Sequence, residues 1–252
     1  MSTLKNDIIV NPSDLFAQIA NTSTTAPYSQ FTLPLGSRSV TGDGREFRLV
    51  QAGASALIIG QLQQSAAPQA NLIDVTAVAV AVGATTTTLT ISTGTAITAG
   101  QLSGGFYQTY GTVANGGGQI YQISSNTAVT SGGTSITLTL ADAVVAAITT
   151  SATVNIIAPV YGAVIQCPST ITGTPVGIAV TNLAASYYGW VQVKGVANAL
   201  IAGTPAIGTG LVPPNAGTAG ALQVQAATLS NIATNLKTGV DGRYGPVDLL
   251  IP

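Results

Sequence analysis

Two copies of one tripeptide are the clearest places where this sequence could organise chemistry: Asp43-Gly44-Arg45 and Asp241-Gly242-Arg243. Each sets a carboxylate and a guanidinium on either side of a glycine. Asp-Gly is a turn dipeptide, because glycine accepts the positive φ of a tight reversal. The pair therefore reads first as two tight turns at strand ends. The functional alternative is an ion pair between subunits, the arginine of one turn meeting the aspartate of another. Exposed pairs of this kind contribute about 0–1 kcal/mol each, so they would set register more than affinity. Asp43 and Glu46 as an acid–base couple have neither a nucleophile nor a partner nearby in sequence.

The remaining inventory excludes whole classes of function. The chain has no His and one Cys, Cys167. Without His there is no Ser–His or Cys–His pair and no imidazole metal ligand. A single Cys forms no internal disulfide, zinc site or iron–sulfur cluster, and with no base or cation beside it Cys167 reads as a buried, inert thiol. Seven Lys or Arg in 252 residues cannot build a nucleic-acid footprint. The glycine run 116–118 is followed by Gln119-Ile120-Tyr121 rather than the Lys-Ser/Thr of a phosphate loop, and reads as a flexible hairpin tip. Tyr107, Tyr110, Tyr121, Tyr161, Tyr187, Tyr188 and Trp190 hold most of the aromatic content, with no cations between the clustered ones. They read first as core or subunit contacts, with stacking on sugars or bases as the alternative. No catalytic, cofactor-binding or metal-binding residue is expected.

These residues must be held by an all-β framework. Runs rich in Val, Ile and Thr, separated by Gly and Asn-Gly signals, predict strands. They fall over 46–51, 71–82, 87–92, 119–124, 135–140, 153–158, 162–166, 175–181, 188–194 and 246–251. Phe47 and Leu49 alternate with Glu46 and Arg48, as in a half-buried strand. Short strands at regular spacing predict small β-barrels or sandwiches, with few short helices. One such helix is expected over 141–148, with Val144, Val145 and Ile148 on one face. The segment around Leu222 fits helix or strand. Residues 83–91 echo 132–140, which fits two similar hairpin strands or, less simply, a duplication.

Residues 1–40 differ. Asn11-Pro12-Ser13-Asp14 is a helix start with Leu15, Phe16 and Ile19 as a small apolar face. A polar run then leads to Tyr28 and Phe31. The stretch reads as an extended N-terminal arm, laid on a neighbouring subunit or frayed. Charge is uneven as well: between Asp74 and Lys194 only Asp142 is charged. The expected organisation is an arm over 1–40, a β-barrel-like base from 41–70 with 167–252, and an inserted Thr/Gly-rich β module over 71–166.

Charged residues are 6% of the chain and hydrophobic ones 46%, with mean hydropathy +0.46. No apolar run approaches the roughly 20 residues of a spanning helix, and no secretory signal opens the sequence. A protein made in a cytoplasm is expected. Its surface must be wetted by Thr, Ser, Asn and Gln, and surfaces of near-zero net charge tend to associate.

Several stretches carry a resemblance. They are Arg45-Glu46-Phe47-Arg48-Leu49-Val50-Gln51-Ala52-Gly53, Gly118-Gln119-Ile120-Tyr121-Gln122-Ile123-Ser124-Ser125-Asn126 and Pro175-Val176-Gly177-Ile178-Ala179-Val180. With them go Tyr188-Gly189-Trp190-Val191-Gln192-Val193-Lys194-Gly195 and Gly245-Pro246-Val247-Asp248-Leu249-Leu250-Ile251. Over about 41–252 the chain resembles virion structural proteins of tailed bacteriophages, in particular head decoration (cement) proteins. The resemblance implies a non-enzymatic homodimer or homotrimer on the capsid surface that ties major capsid proteins together, without nucleic acid, membrane or cofactor. The alternative is a head fibre or tail component with receptor or glycan binding. A bacterial surface-layer protein and a carbohydrate-active enzyme are more distant readings. The candidate subunit contacts are Leu15, Phe16, Ile19, Tyr28, Phe31, Asp43, Arg45, Asp241 and Arg243.

Overall fold

The computed structural model describes residues 33–224 and 229–251. It is all-β, with 42% strand. Sixteen strands follow one another: β1 Arg38–Val40, β2 Glu46–Gln51, β3 Leu62–Gln64, β4 Val75–Thr76, β5 Thr86–Thr90, β6 Phe106–Tyr110, β7 Ile120–Asn126 and β8 Ser135–Leu140 come first. Then come β9 Thr153–Ile157, β10 Ile165–Gln166, β11 Pro175–Ala179, β12 Tyr188–Ile201, β13 Gly210–Val212, β14 Gln223–Val224, β15 Ala233–Asn235 and β16 Arg243–Leu250. The helical content among the described residues is two single 3-10 turns, Ala70–Leu72 and Val113–Asn115.

The chain forms two compact units, one from 33–67 with 160–251 and one from 68–159. In the first, a ten-stranded antiparallel sheet runs β10-β3-β11-β12-β16-β15-β13-β14, with β2 also pairing β12 and carrying β1, and it curves into a half-barrel. In the second, six strands run β4-β9-β6-β7-β8-β5 and nearly close on themselves. Residues 160–166, placed with the insert by composition, belong to the first unit: Ile165 and Gln166 pair with Gln64 and Gln63. Residues 33–40, placed in the arm, are likewise packed there. Leu33 and Leu35 lie against Phe47, Leu49 and Trp190, and β1 pairs with β2. Residues 1–32, which hold the rest of the expected arm, lie outside the described residues.

Alternation explains most of the strands. In β2, Phe47 and Leu49 point inward while Glu46 and Arg48 stay partly exposed. In β5, Thr87 and Leu89 face the core and Thr86, Thr88 and Thr90 face out. The two echoing segments turn out to be partners: β5 and β8 pair antiparallel from Thr86↔Thr139 to Thr90↔Ser135. Thr88 and Thr137 share a hydroxyl hydrogen bond of 2.8 Å on the outer face. β-Branched threonine favours strands while its hydroxyl keeps that face wetted without charge.

Two expectations are corrected. Residues 141–148 form no helix. Val144 N–H donates to Ala84 O at 2.9 Å and Ile148 N–H to Val80 O at 2.9 Å, so the segment is tied to 80–84 as an irregular, bent stretch. Val144 and Ile148 are buried, but Val145 faces solvent, 75% exposed. Long-range backbone pairing has overridden a weak local helical pattern. The strand expected over 71–82 is broken by Asp74, whose φ of +54° takes it out of the β region. Val75–Thr76 pairs with β9, and beyond it Val80 makes a single bridge to Ile148.

Candidate functional site

The longest strand, β12, changes character at Gly195. Before it, the chain is buried on both faces. Trp190 packs with Phe47 and Leu49, and Val191 with Val50 and Val176. From Lys194 on, Ala197 and Ala199 stay in the core while Lys194, Val196 and Asn198 turn to solvent. Gly195 adopts φ +81°, and a Cβ there would meet Arg45 Cγ at 3.1 Å. Glycine thus serves both a left-handed backbone and a close approach. β2 pairs with 188–194 and β16 with 194–201, and the register against β2 shifts between Gln192 and Lys194. The Gln192 amide nitrogen bridges this irregularity, donating toward the carbonyls of Lys194 at 3.0 Å and Val196 at 2.9 Å.

β16 extends the outward face. Its register sets Tyr244 opposite Leu200, Pro246 opposite Asn198, Asp248 opposite Val196 and Leu250 opposite Lys194. Large apolar side chains stay in water here: Val196 is 57% exposed, Tyr244 48%, Leu250 69% and Ile59 48%. Among them runs a groove of about 430 Å³, lined by Ile59, Gly60, Ile178, Ala179, Val180, Val196, Ala197, Tyr244 and Pro246. Gln192, Asn198 and Arg45 are its polar lining. The Tyr244 ring lies on Gly60 so closely that a Cβ there would meet Cε1 at 2.6 Å. Such a contiguous apolar face marks an interaction site.

Charge is gathered at one end of this face. Glu46 accepts from Arg38 Nε at 2.9 Å and pairs with Lys194 Nζ at 3.3 Å. The Arg38 hydrogen bonds, opposed by desolvation and helped by Lys194, hold the Glu46 carboxyl at about 2, below its ordinary 4.5. Asp43 is also held at about 2, first by the Thr41 hydroxyl and then by Arg45. Both are depressed carboxylates, so their contribution to stability is complete above the ordinary carboxylate range and is lost as pH falls toward about 2. With no His in the chain, the melting temperature should stay flat from about pH 5 to about pH 8, fall below about pH 4, and fall again above about pH 8.5, where the unfolded Cys167 thiol ionises but the buried one does not. A midpoint that steps between about pH 6 and pH 7 in thermal denaturation would contradict this account.

The two Asp-Gly-Arg turns are held differently, the first within itself and the second by a distant strand connection. Arg45 Nε bonds Asp43 Oδ2 at 2.7 Å within its own turn, and the guanidinium sits 5.7 Å from the Phe47 ring centre. Asp241 Oδ1 accepts from Gly203 N–H at 2.6 Å, and Arg243 opens β16 opposite Ile201. Gly44 and Gly242 take φ of +84° and +69°. The turns feed β2 and β16 at different points of β12, Lys194 and Ile201, so the fold does not bring them together within one chain. Leu15, Phe16, Ile19, Tyr28 and Phe31 lie outside the described residues.

Of the aromatic residues, Tyr107 and Tyr121 point into the six-stranded barrel, and Tyr188 and Trp190 into the first unit. Burial pushes the Tyr107 hydroxyl up to about 12. Cys167 is fully buried, with its thiol likewise pushed up to about 12 and directed at Gln64 Oε1 at 3.5 Å. Glycines 116–118 do sit in the β6–β7 connection, where Gly116 O accepts from Thr109 Oγ1 at 2.8 Å and from Gln119 Nε2 at 2.7 Å. The residues that form the groove, Val196, Tyr244 and Ile59, were not singled out by sequence. Their signal was an apolar residue on the outward phase of a strand, at Val196 and Leu250.

Among the described residues no group of three or more His, Cys, Asp or Glu is placed to hold a metal ion, and no helix is long and apolar enough to cross a membrane. No family model, curated protein or solved structure matches the chain.

Proposed function

We propose that this chain is a passive building block of a phage virion. It binds the outside of the capsid lattice as a homo-oligomer and stabilises contacts between major capsid proteins. The observation that carries this reading is the exposed apolar face of β12 and β16 with its groove. On a chain with 6% charged residues, such a face stabilises association through removal of apolar surface from water, about 25 cal/mol per Å². A specific interface of about 1,600 Å² is the usual scale. The virion assignment itself rests on the sequence resemblance.

The second reading, a head fibre or tail component, is separated by labelling. Val113 is 90% exposed, whereas Cys167 is buried, so Val113→Cys provides the sole reactive thiol in the native described chain. Virions carrying a gold label at this position should show it over the head surface. Label confined to the tail would replace the first reading with the second.

A further inference from the structure

β6 presents Phe106, Gln108 and Tyr110 outward, with Tyr107 and Thr109 buried between them. The neighbours follow from register. Phe106 stands between Ile157 of β9 and Gln122 of β7, Gln108 between Asn155 and Ile120, and Tyr110 beside Thr153. Phe106 and Tyr110 are four residues apart on one strand, about 13 Å, which suits a short oligomer rather than a single small ring. Tyr110 is 62% exposed, Ile120 60% and Phe106 38%.

The amide between the two rings is held in place. Asn155 Oδ1 accepts from Asp74 N–H at 2.8 Å, and Asn155 Nδ2 donates to Gln108 Oε1 at 3.2 Å. This fixes Gln108 by its oxygen and leaves its nitrogen without a partner among the described residues. The row is therefore ring, oriented amide donor, ring, with the exposed Gln122 amide alongside.

We propose that this face of β6, β7 and β9 binds a neutral oligosaccharide. The apolar C–H faces of sugar rings lie against the electron-rich faces of aromatic rings, while sugar hydroxyls need the donors and acceptors that amides supply. Charge selects the class of ligand. In the 68–159 unit Asp74 and Asp142 are the only formally charged side chains. A polyanion such as nucleic acid or a sulfated glycan finds no cation here, and a wholly apolar partner would leave the Gln108 donor buried and unpaired at a cost.

The test is calorimetric titration of the full chain with cellohexaose, chitohexaose and maltohexaose, with heparin as the anionic comparison. At least one neutral hexasaccharide should bind with Kd between about 10 μM and 1 mM. Tyr110→Ala and Phe106→Ala should each weaken it about 10-fold or more, with melting temperatures close to the parent chain because both rings are exposed. Gln108→Ala should weaken it as well, and Val196→Asp in the other unit should leave it unchanged. Absence of binding by all three neutral sugars at about 10 mM, preference for heparin, or binding that survives Tyr110→Ala would each overturn the proposal. Dissociation of an oligomer by Tyr110→Ala without sugar binding would assign the face to a second copy instead.

Discussion

Val196→Asp should abolish capsid binding while leaving the fold in place. Val196 is 57% exposed, lies on the rim of the groove and faces out between Lys194 and Asn198. An exposed substitution of this kind shifts stability by about 0.5 kcal/mol, rising to about 1 kcal/mol for aspartate in a strand. In the bound state the new carboxylate would be taken out of water, and the nearby cations Lys194 and Arg45 are already paired with Glu46 and Asp43. Register places it opposite Asp248, which adds repulsion. Burying an unpaired charge costs several kcal/mol, so affinity should fall by at least about 100-fold. Val196→Thr keeps the shape and should cost far less. Co-sedimentation with empty capsids reads both variants. Unchanged binding by Val196→Asp would remove this face from the account.

Trp190→Ala should instead strongly destabilise the first unit. Trp190 is the only Trp in the chain and is 2% exposed. It joins Phe47 and Leu49 beneath Leu33, Leu35 and Val180. Removing a buried aromatic of this size costs about 3–5 kcal/mol, out of a total that is usually about 5–15 kcal/mol. Urea titration followed by circular dichroism should show a transition displaced to much lower denaturant, or no folded baseline for that unit. A shift below about 1 kcal/mol would mean the cluster is not a structural centre. The consequence reaches function, because Val180 belongs both to this cluster and to the groove wall.

The β class was legible in the sequence because alternation is a local signal. Glu46–Gln51 and Ser135–Leu140 could be read to the residue, each having a buried face and a wetted one. The continuation of β12 past Gly195 could not: glycine normally weakens a strand, and here a left-handed residue and a register shift let pairing pass from β2 to β16. The three-residue strands β1, β3, β13 and β15 carry too little pattern and exist through their partners. β6 was missed although Phe-Tyr-Gln-Thr-Tyr alternates, because its tyrosines drew attention as a cluster rather than as two phases of one strand. Once the phase is known, Tyr107 belongs to the core and Tyr110 to the surface.

The groove was the least legible feature. It forms where Ile59, Val180, Val196 and Tyr244 meet, and no spacing in the chain announces that meeting. The Asp-Gly-Arg turns were easy to find for the opposite reason. Their Asp-Gly signal is local, and Arg45 is occupied by its own Asp43.

Adhesion driven mainly by apolar burial has a direct signature in salt. On the proposed function, native mass measurement of the purified protein, alone and mixed with empty tailed-phage capsids, should give a homo-oligomer that saturates the lattice at a fixed ratio. Occupancy should be nearly the same at about 50 mM and about 500 mM salt, since few charges are there to be screened. A monomer that never joins the capsid, or binding that disappears at the higher salt, would contradict the account.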